Sequence, residues 1–265
     1  QIAVSENGDI YAVISGFRPD LTDSLVIRVL LSVDNGDTWE SFGTVYSTTA
    51  DLYDPDIETL DDRLLVAYER DGLMRVFYLY YDWSAYDFIT VGTTDYGLPS
   101  LISDKFYYPL ETTWTYLTYY SEESGVGNIY YSTSTDQGLT WSTPMQLSND
   151  NAYWVSAGNA VAYSMTDYDV DEYCVIGWMD NTGSTIVSRV DIYTDEYDNT
   201  TVMESGDDYY FYSPSVAAYF DDIFVSTSVD WSDTYTDVAL TFSSDNGATW
   251  GADYEWYYWI DDYDI

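Results

Sequence analysis

Short runs rich in Val, Ile, Thr, Tyr and Trp recur along the 265 residues, separated by polar segments of Asp, Asn, Gly and Ser. Runs of β-branched and aromatic residues bounded by turn formers are the pattern of β-strands. Apolar positions never recur at helical spacing over a useful length, so an all-β chain is expected. Near the C-terminus, strands are expected over 215–219, 223–229, 237–242 and 253–260, with Asp221 and Asp222 in the first turn. An earlier stretch matches this plan with strands over 56–60, 64–69, 74–80 and 88–91. Pro55, Pro99 and Pro214 each precede an expected first strand, and proline is tolerated at a strand's first residue.

One eight-residue pattern, S-x-D-x-G-x-T-W, occurs three times: Ser32 to Trp39, Ser134 to Trp141 and Ser243 to Trp250. Between two strands it reads as a hairpin turn. Gly36, Gly138 and Gly247 supply a positive φ, and Asp34, Asp136 and Asp245 accept hydrogen bonds from turn amides. Trp39, Trp141 and Trp250 open the next strand and cover the turn. A role repeated in this way is architectural rather than catalytic. Two decayed copies centre on Asp82 and Asp195 and lack the Gly and the closing Trp. The five aspartates are 48, 54, 59 and 50 residues apart, a repeat length typical of propeller blades.

The pattern resembles the Asp box of the bacterial neuraminidase repeat, found in the sialidase-type β-propeller superfamily. The resemblance implies a single domain over 1–265: a propeller of five four-stranded antiparallel blades, framed at 1–49, 50–94, 95–150, 151–206 and 207–265. An excerpt of a six- or seven-bladed propeller is the alternative. The first frame begins with an inner strand and the last finishes with an outer one, so closure is expected from packing between the first and last blades. The aromatic segment 254–265 is expected as the outermost strand, either docking on another chain or closing the ring.

In such a blade the first and third turns emerge on one face, and the second turns and inter-blade links on the other. Loops carry binding residues on a rigid scaffold, so the face opposite the Asp boxes is the candidate mouth. Its expected ligand-binding residues are Arg18, Tyr53, Asp54, Asp56, Arg70, Glu122, Trp154, Asp180 and Trp231, with Asp20 and Glu69 beside them. Carboxylates next to aromatics suit sugar hydroxyls and pyranose faces, and two carboxylates at a suitable separation hydrolyse a glycosidic bond. The same residues also read as a solvated acidic rim.

Charge narrows the partners. Asp and Glu number 47 against 7 Lys and Arg, with no His, for a formal charge of −40. Such a chain repels nucleic acid and anionic membranes, and no apolar run is long enough to span a bilayer. The acidity reads as a solvated surface suited to salty or cation-rich surroundings, or as divalent-cation contacts. The run Asp167 to Glu172 echoes a calcium loop without its central Gly and distal Glu; no cofactor is expected, Ca²⁺ being the one candidate. Cys174, alone in an apolar run, is expected to be a buried, inert thiol. Asn199 heads a glycosylation sequon. The chain opens at Gln1, directly before strand-like sequence, and reads as a processed or excerpted chain whose signal peptide is not visible.

The catalytic set that the resemblance would imply does not carry over. Sialidases hold the substrate carboxylate with three arginines from different blades and use a Tyr–Glu pair with an Asp acid. Here five of the six arginines lie in the first two repeats, and Arg28, Arg75 and Arg189 fall in expected third strands. A chain this acidic also repels an anionic sugar. His-based triads, His metal sites and phosphate loops are excluded by composition. The leading expectation is a non-catalytic, extracellular or cell-surface module that recognises a glycan or another protein chain, including a second copy of itself. The alternatives are a glycoside hydrolase for a neutral polysaccharide, with paired carboxylates in the axial mouth, and a structural subunit of a surface layer or extracellular fibre.

Overall fold

A computed structural model describes residues 1–17, 25–48, 52–82, 84–94, 97–103, 114–123, 126–148, 152, 159–166, 169–191, 194, 196–206, 209–231 and 236–251. Among them there is no helix, and consecutive strands form five separate antiparallel sheets. The first sheet holds β1 (Ile2–Val4), β2 (Ile10–Phe17), β3 (Leu25–Ser32) and β4 (Glu40–Thr48). The second holds β5 (Leu52–Thr59), β6 (Arg63–Arg70), β7 (Leu73–Tyr80) and β8 (Tyr86–Thr93). The third holds β9 (Ser100–Ser103), β10 (Thr115–Glu123), β11 (Val126–Ser134) and β12 (Met145–Gln146). The fourth holds β13 (Asn159–Thr166), β14 (Asp169–Met179), β15 (Thr185–Asp191) and β16 (Tyr197–Met203). The last has three described strands, β17 (Tyr209–Tyr219), β18 (Asp222–Trp231) and β19 (Thr236–Ser243). The strand expected over 253–260, like the rest of the aromatic segment 254–265, lies outside the described residues.

The prolines sit differently from the sequence expectation. Pro99 does precede β9, but Pro55 and Pro214 lie inside β5 and β17. Both ladders shift register there, between Tyr53 and Asp56 and between Tyr212 and Ser215. A bulge leaves residues unpaired, so the missing proline N–H breaks no ladder bond and the strand continues past it. Ser213, just before Pro214, has a φ of 53°, which re-aims the strand at that point.

The chain divides into two compact units, Gln1–Gly125 with Tyr130–Gln146, and Val126–Ile129 with Leu147–Ile265. In the first unit, Tyr11, Val13, Ile27 and Val29 of the first sheet pack on Ile57, Leu64, Val66 and Tyr68 of the second. On the other face of the second sheet, Leu65, Ala67, Met74 and Val76 meet Leu101, Leu117 and Tyr119 of the third. β6 is thus buried on both faces, which explains why Leu64 to Tyr68 reads as an unbroken apolar run rather than an alternating one. In the second unit, Val175 and Val187 of the fourth sheet pack on Phe211, Val216, Ile223 and Val225 of the last. Cys174 is fully buried, and burial raises its thiol pKa, as an inert thiol requires. The opposite face of the last sheet exposes Phe224, Val238, Leu240 and Phe242, and the first sheet exposes Ile2, Val4 and Ile14.

Candidate functional site

The β5 bulge carries the most perturbed carboxyl described in the first unit. Asp56 Oδ1 accepts the N–H of Ile57 at 2.8 Å, and Oδ2 accepts the N–H of Leu101 in β9 at 2.7 Å. Burial pushes its pKa up to about 6, and the neighbouring Glu58 charge adds to the rise, outweighing the two amides that favour the ionised form. Glu58 follows two residues on, so both side chains leave the same face of β5, with Cα atoms about 7 Å apart. Glu58 is buried and accepts the N–H of Thr59 at 3.0 Å. Sequence reasoning passed over Glu58; its signal is the period-two spacing from Asp56 on a strand.

Strand pairing brings the start of β5 beside the end of β6, with Leu52 opposite Arg70 and Tyr53 opposite Glu69. Glu69 is buried and accepts the N–H of Gly72 at 2.8 Å, while Arg70 pairs with Asp71 at 3.0 Å. Glu122 lies near the end of β10 and accepts a bond from Tyr120 Oη at 3.2 Å. Asp56, Glu69, Arg70 and Glu122 all belong to the first unit; Glu69, Arg70 and Glu122 lie near strand ends, whereas Asp56 sits within β5 rather than on a loop, because the strand continues through the Pro55 bulge. Asp180 belongs to the second unit, where Oδ1 accepts from Thr182 N, Thr182 Oγ1 and Ser184 N and so caps its own turn. Tyr53 and Asp54 lie in β5 and Trp231 ends β18, but their side chains, with Arg18, Asp20 and Trp154, lie outside the described residues.

The three repeated turns share one hydrogen-bond network. In the first, Ser32 Oγ donates to Asp34 Oδ1 at 2.8 Å and accepts from Gly36 N at 2.8 Å. Thr38 donates from N to Oδ1 at 2.8 Å and from Oγ1 to Oδ2 at 2.5 Å. Asp136 and Asp245 are held in the same way by Thr140 and Thr249. Glycine is not the only residue with positive φ. Asn35, Gln137 and Asn246 have φ of 57–59°, and the following glycines 82–92°. Two successive positive φ values are the mark of a type I′ turn, here at the tip of a longer loop and closed by the N–H of Asp37, Leu139 or Ala248 bonding back to the Asp carbonyl. Hydrogen bonds from Thr38 and Ser32 lower the Asp34 pKa, and those from Thr249 bring Asp245 to about 2. Asp136 is opposed by its burial, yet the bonds from Thr140 still lower it. These carboxylates serve the turn and are not poised for proton transfer.

Asn199 Oδ1 accepts from Ser188 Oγ at 2.7 Å, and its Nδ2, the atom a glycan would occupy, donates to the Leu147 carbonyl at 2.9 Å. Among the described residues no group of three or more Asp, Glu or Cys side chains is disposed to hold a metal; the side chains of the Asp167 to Glu172 run lie outside them.

No protein-family model matches the sequence, and no curated protein matches it. Solved structures do share its fold. An α-L-arabinofuranosidase from Fusarium graminearum, solved with an iminosugar inhibitor, aligns with a TM-score of 0.53 and 15% identity over 83% of this chain and 67% of its own. An α-L-arabinanase from Penicillium chrysogenum, complexed with arabinobiose, gives 0.51 and 14% over 94% and 78%. The sialidase NanB from Streptococcus pneumoniae gives 0.50 and 12% over 77% of this chain but 32% of its own. The fold is therefore an all-β fold similar to that of propeller-type glycoside hydrolases and a sialidase.

Proposed function

We propose that this protein is an extracellular glycoside hydrolase for a neutral glycan, with Asp56 as its proton donor. One observation carries the reading: Asp56 is a carboxyl whose pKa of about 6 keeps much of it protonated in mildly acidic surroundings, beside a second carboxylate, Glu58. A general acid needs a raised pKa, and a second carboxylate on the same face of the strand is the partner that a two-carboxylate hydrolysis calls for. The fold shared with an arabinofuranosidase and an arabinanase supports an arabinose-containing polymer as the first substrate to test. A net charge of −40 disfavours sialosides and other anionic sugars. Polymers of this kind are met outside the cell, in keeping with an acidic protein surface.

The sheets of this reading are five blades of one propeller, with the repeated turns as Asp boxes. The even spacing of Asp34, Asp82, Asp136, Asp195 and Asp245 supports that count.

A second reading, a glycan-recognition module without turnover, is favoured by the two main-chain amides that already occupy both oxygens of Asp56. Assays on arabinan, xylan and β-glucan across pH 4–8 separate the two. Hydrolysis that falls as pH rises past about 6 and is lost in Asp56→Asn supports the hydrolase. Glycan binding without product supports the module, and neither binding nor turnover removes both.

A further inference from the structure

We infer that the second unit carries a separate site for a neutral oligosaccharide along the outer edge of its fourth sheet, centred on Arg189, Asp198 and Trp250. Two hollows adjoin there, of about 270 and 430 Å³, and both are lined by Arg189 and Asp198. The larger falls within the range of small-ligand sites. Arg189 is the rigid divider between them. Its Nη1 donates to the Asn246 carbonyl, its guanidinium lies 4.7 Å from the Tyr173 ring centroid, and Nη2 stands 3.7 Å from Asp198.

Trp250 marks the first hollow. In the other two turns the closing indole donates to its own turn, Trp39 to the Gly36 carbonyl and Trp141 to that of Gly138, both at 3.1 Å. Trp250 breaks the pattern: its Nε1 is buried and has no hydrogen-bond partner among the described residues. A buried donor without an acceptor is costly; it is closed to solvent in this conformation, so a ligand oxygen would satisfy it once the indole turns toward the hollow. Asn199, also in the lining, is locked between Ser188 and Leu147, so that wall is preformed.

The second hollow adds Tyr197, Glu196 and Asp191. Aromatic faces with carboxylate acceptors on one side and an indole donor on the other suit the flat apolar faces and hydroxyls of a sugar. Charge selects against an anionic one. Asp191, Glu196 and Asp198 outnumber Arg189, whose cation is already engaged by Asp198 and the Asn246 carbonyl. A divalent cation is disfavoured because these carboxylates do not converge as a metal-binding group.

The site is independent of turnover at Asp56, which lies in the other unit. Calorimetric titration with arabinan-, xylan- and β-glucan-derived hexasaccharides, and with hexagalacturonate as the anionic control, tests it. At least one neutral hexasaccharide should bind, Asp56→Asn should retain that binding, and Tyr197→Ala and Trp250→Phe should each weaken it about tenfold. Should Trp250→Phe fail to fold, Tyr197→Ala and Asp198→Ala, both on the outer strand β16, carry the same comparison. The proposal is overturned if no neutral hexasaccharide binds, if the β16 variants bind as wild type, or if hexagalacturonate binds more tightly. Loss of hydrolysis in Asp56→Asn with binding retained separates this site from the catalytic one.

Discussion

The Asp56 carboxylate accepts the main-chain N–H of Leu101 at 2.7 Å, joining β5 of the second sheet to β9 of the third. The same group is the one burial drives toward neutrality, so it holds two sheets together while its charge is resisted. Asp56→Asn should cost hydrolysis about 10²–10⁴-fold, the range of general acid catalysis. Product release from the hydrolysed glycan is the measurement, and unchanged rates would remove Asp56 from the reaction.

Asp56 also sets a pH dependence of stability. Its folded pKa lies above the ordinary carboxyl value, so the contribution is fully present below about pH 4 and is lost as pH rises through about 6. Between pH 4 and 7 the wild type should therefore lose on the order of 2 kcal/mol relative to Asp56→Asn. Urea unfolding of both proteins at several pH values reads the difference directly; parallel curves would contradict the assignment.

The repeated turns behave in the opposite sense. Asp34, Asp136 and Asp245 have lowered pKa values, so the stability they confer is present above about pH 4 and fades as pH falls toward 2. Removing the partner hydroxyl in Thr38→Val, Thr140→Val and Thr249→Val together should move the acid-unfolding midpoint upward. A midpoint that stays in place would mean that these bonds do not distinguish folded from unfolded chains.

Two glycines in equivalent turns should respond unequally to alanine. Gly36 has a φ of 92° and open space around an added Cβ, so only backbone strain of about 1 kcal/mol is expected. Gly138 has a φ of 83°, and an added Cβ would stand 2.7 Å from both δ-carbons of Leu65, so Gly138→Ala should cost distinctly more. Equal melting temperatures for the two variants would show that the turn holding Gly138 does not pack on Leu65.

Carboxylate repulsion should make stability rise with salt, because screening shortens the range of like-charge interactions to about 3 Å at 1 M. A melting temperature flat from low to molar sodium chloride would refute the expectation for a chain of net charge −40.

Much of this was legible from sequence because it is local. The S-x-D-x-G-x-T-W turns close their networks within eight residues, so Ser, Asp, Gly and Thr at fixed spacing suffice to build them. Most strands were equally visible, since β-branched and aromatic runs between turn formers need no distant information. Pro55 and Pro214 misled as strand starts because a bulge depends on the partner strand, which a linear reading lacks. Asp56 was legible as one of nine candidate mouth residues, but its raised pKa was not, because the burial and the bond from Leu101, 45 positions away, come from the packed third sheet. The indole of Trp250, without a partner among the described residues, was invisible for the same reason, since its motif follows the same pattern as two others whose indoles are paired. Turn geometry is fixed by covalent spacing, whereas pKa, burial and an unmet hydrogen bond are properties of neighbours that only the folded chain brings together.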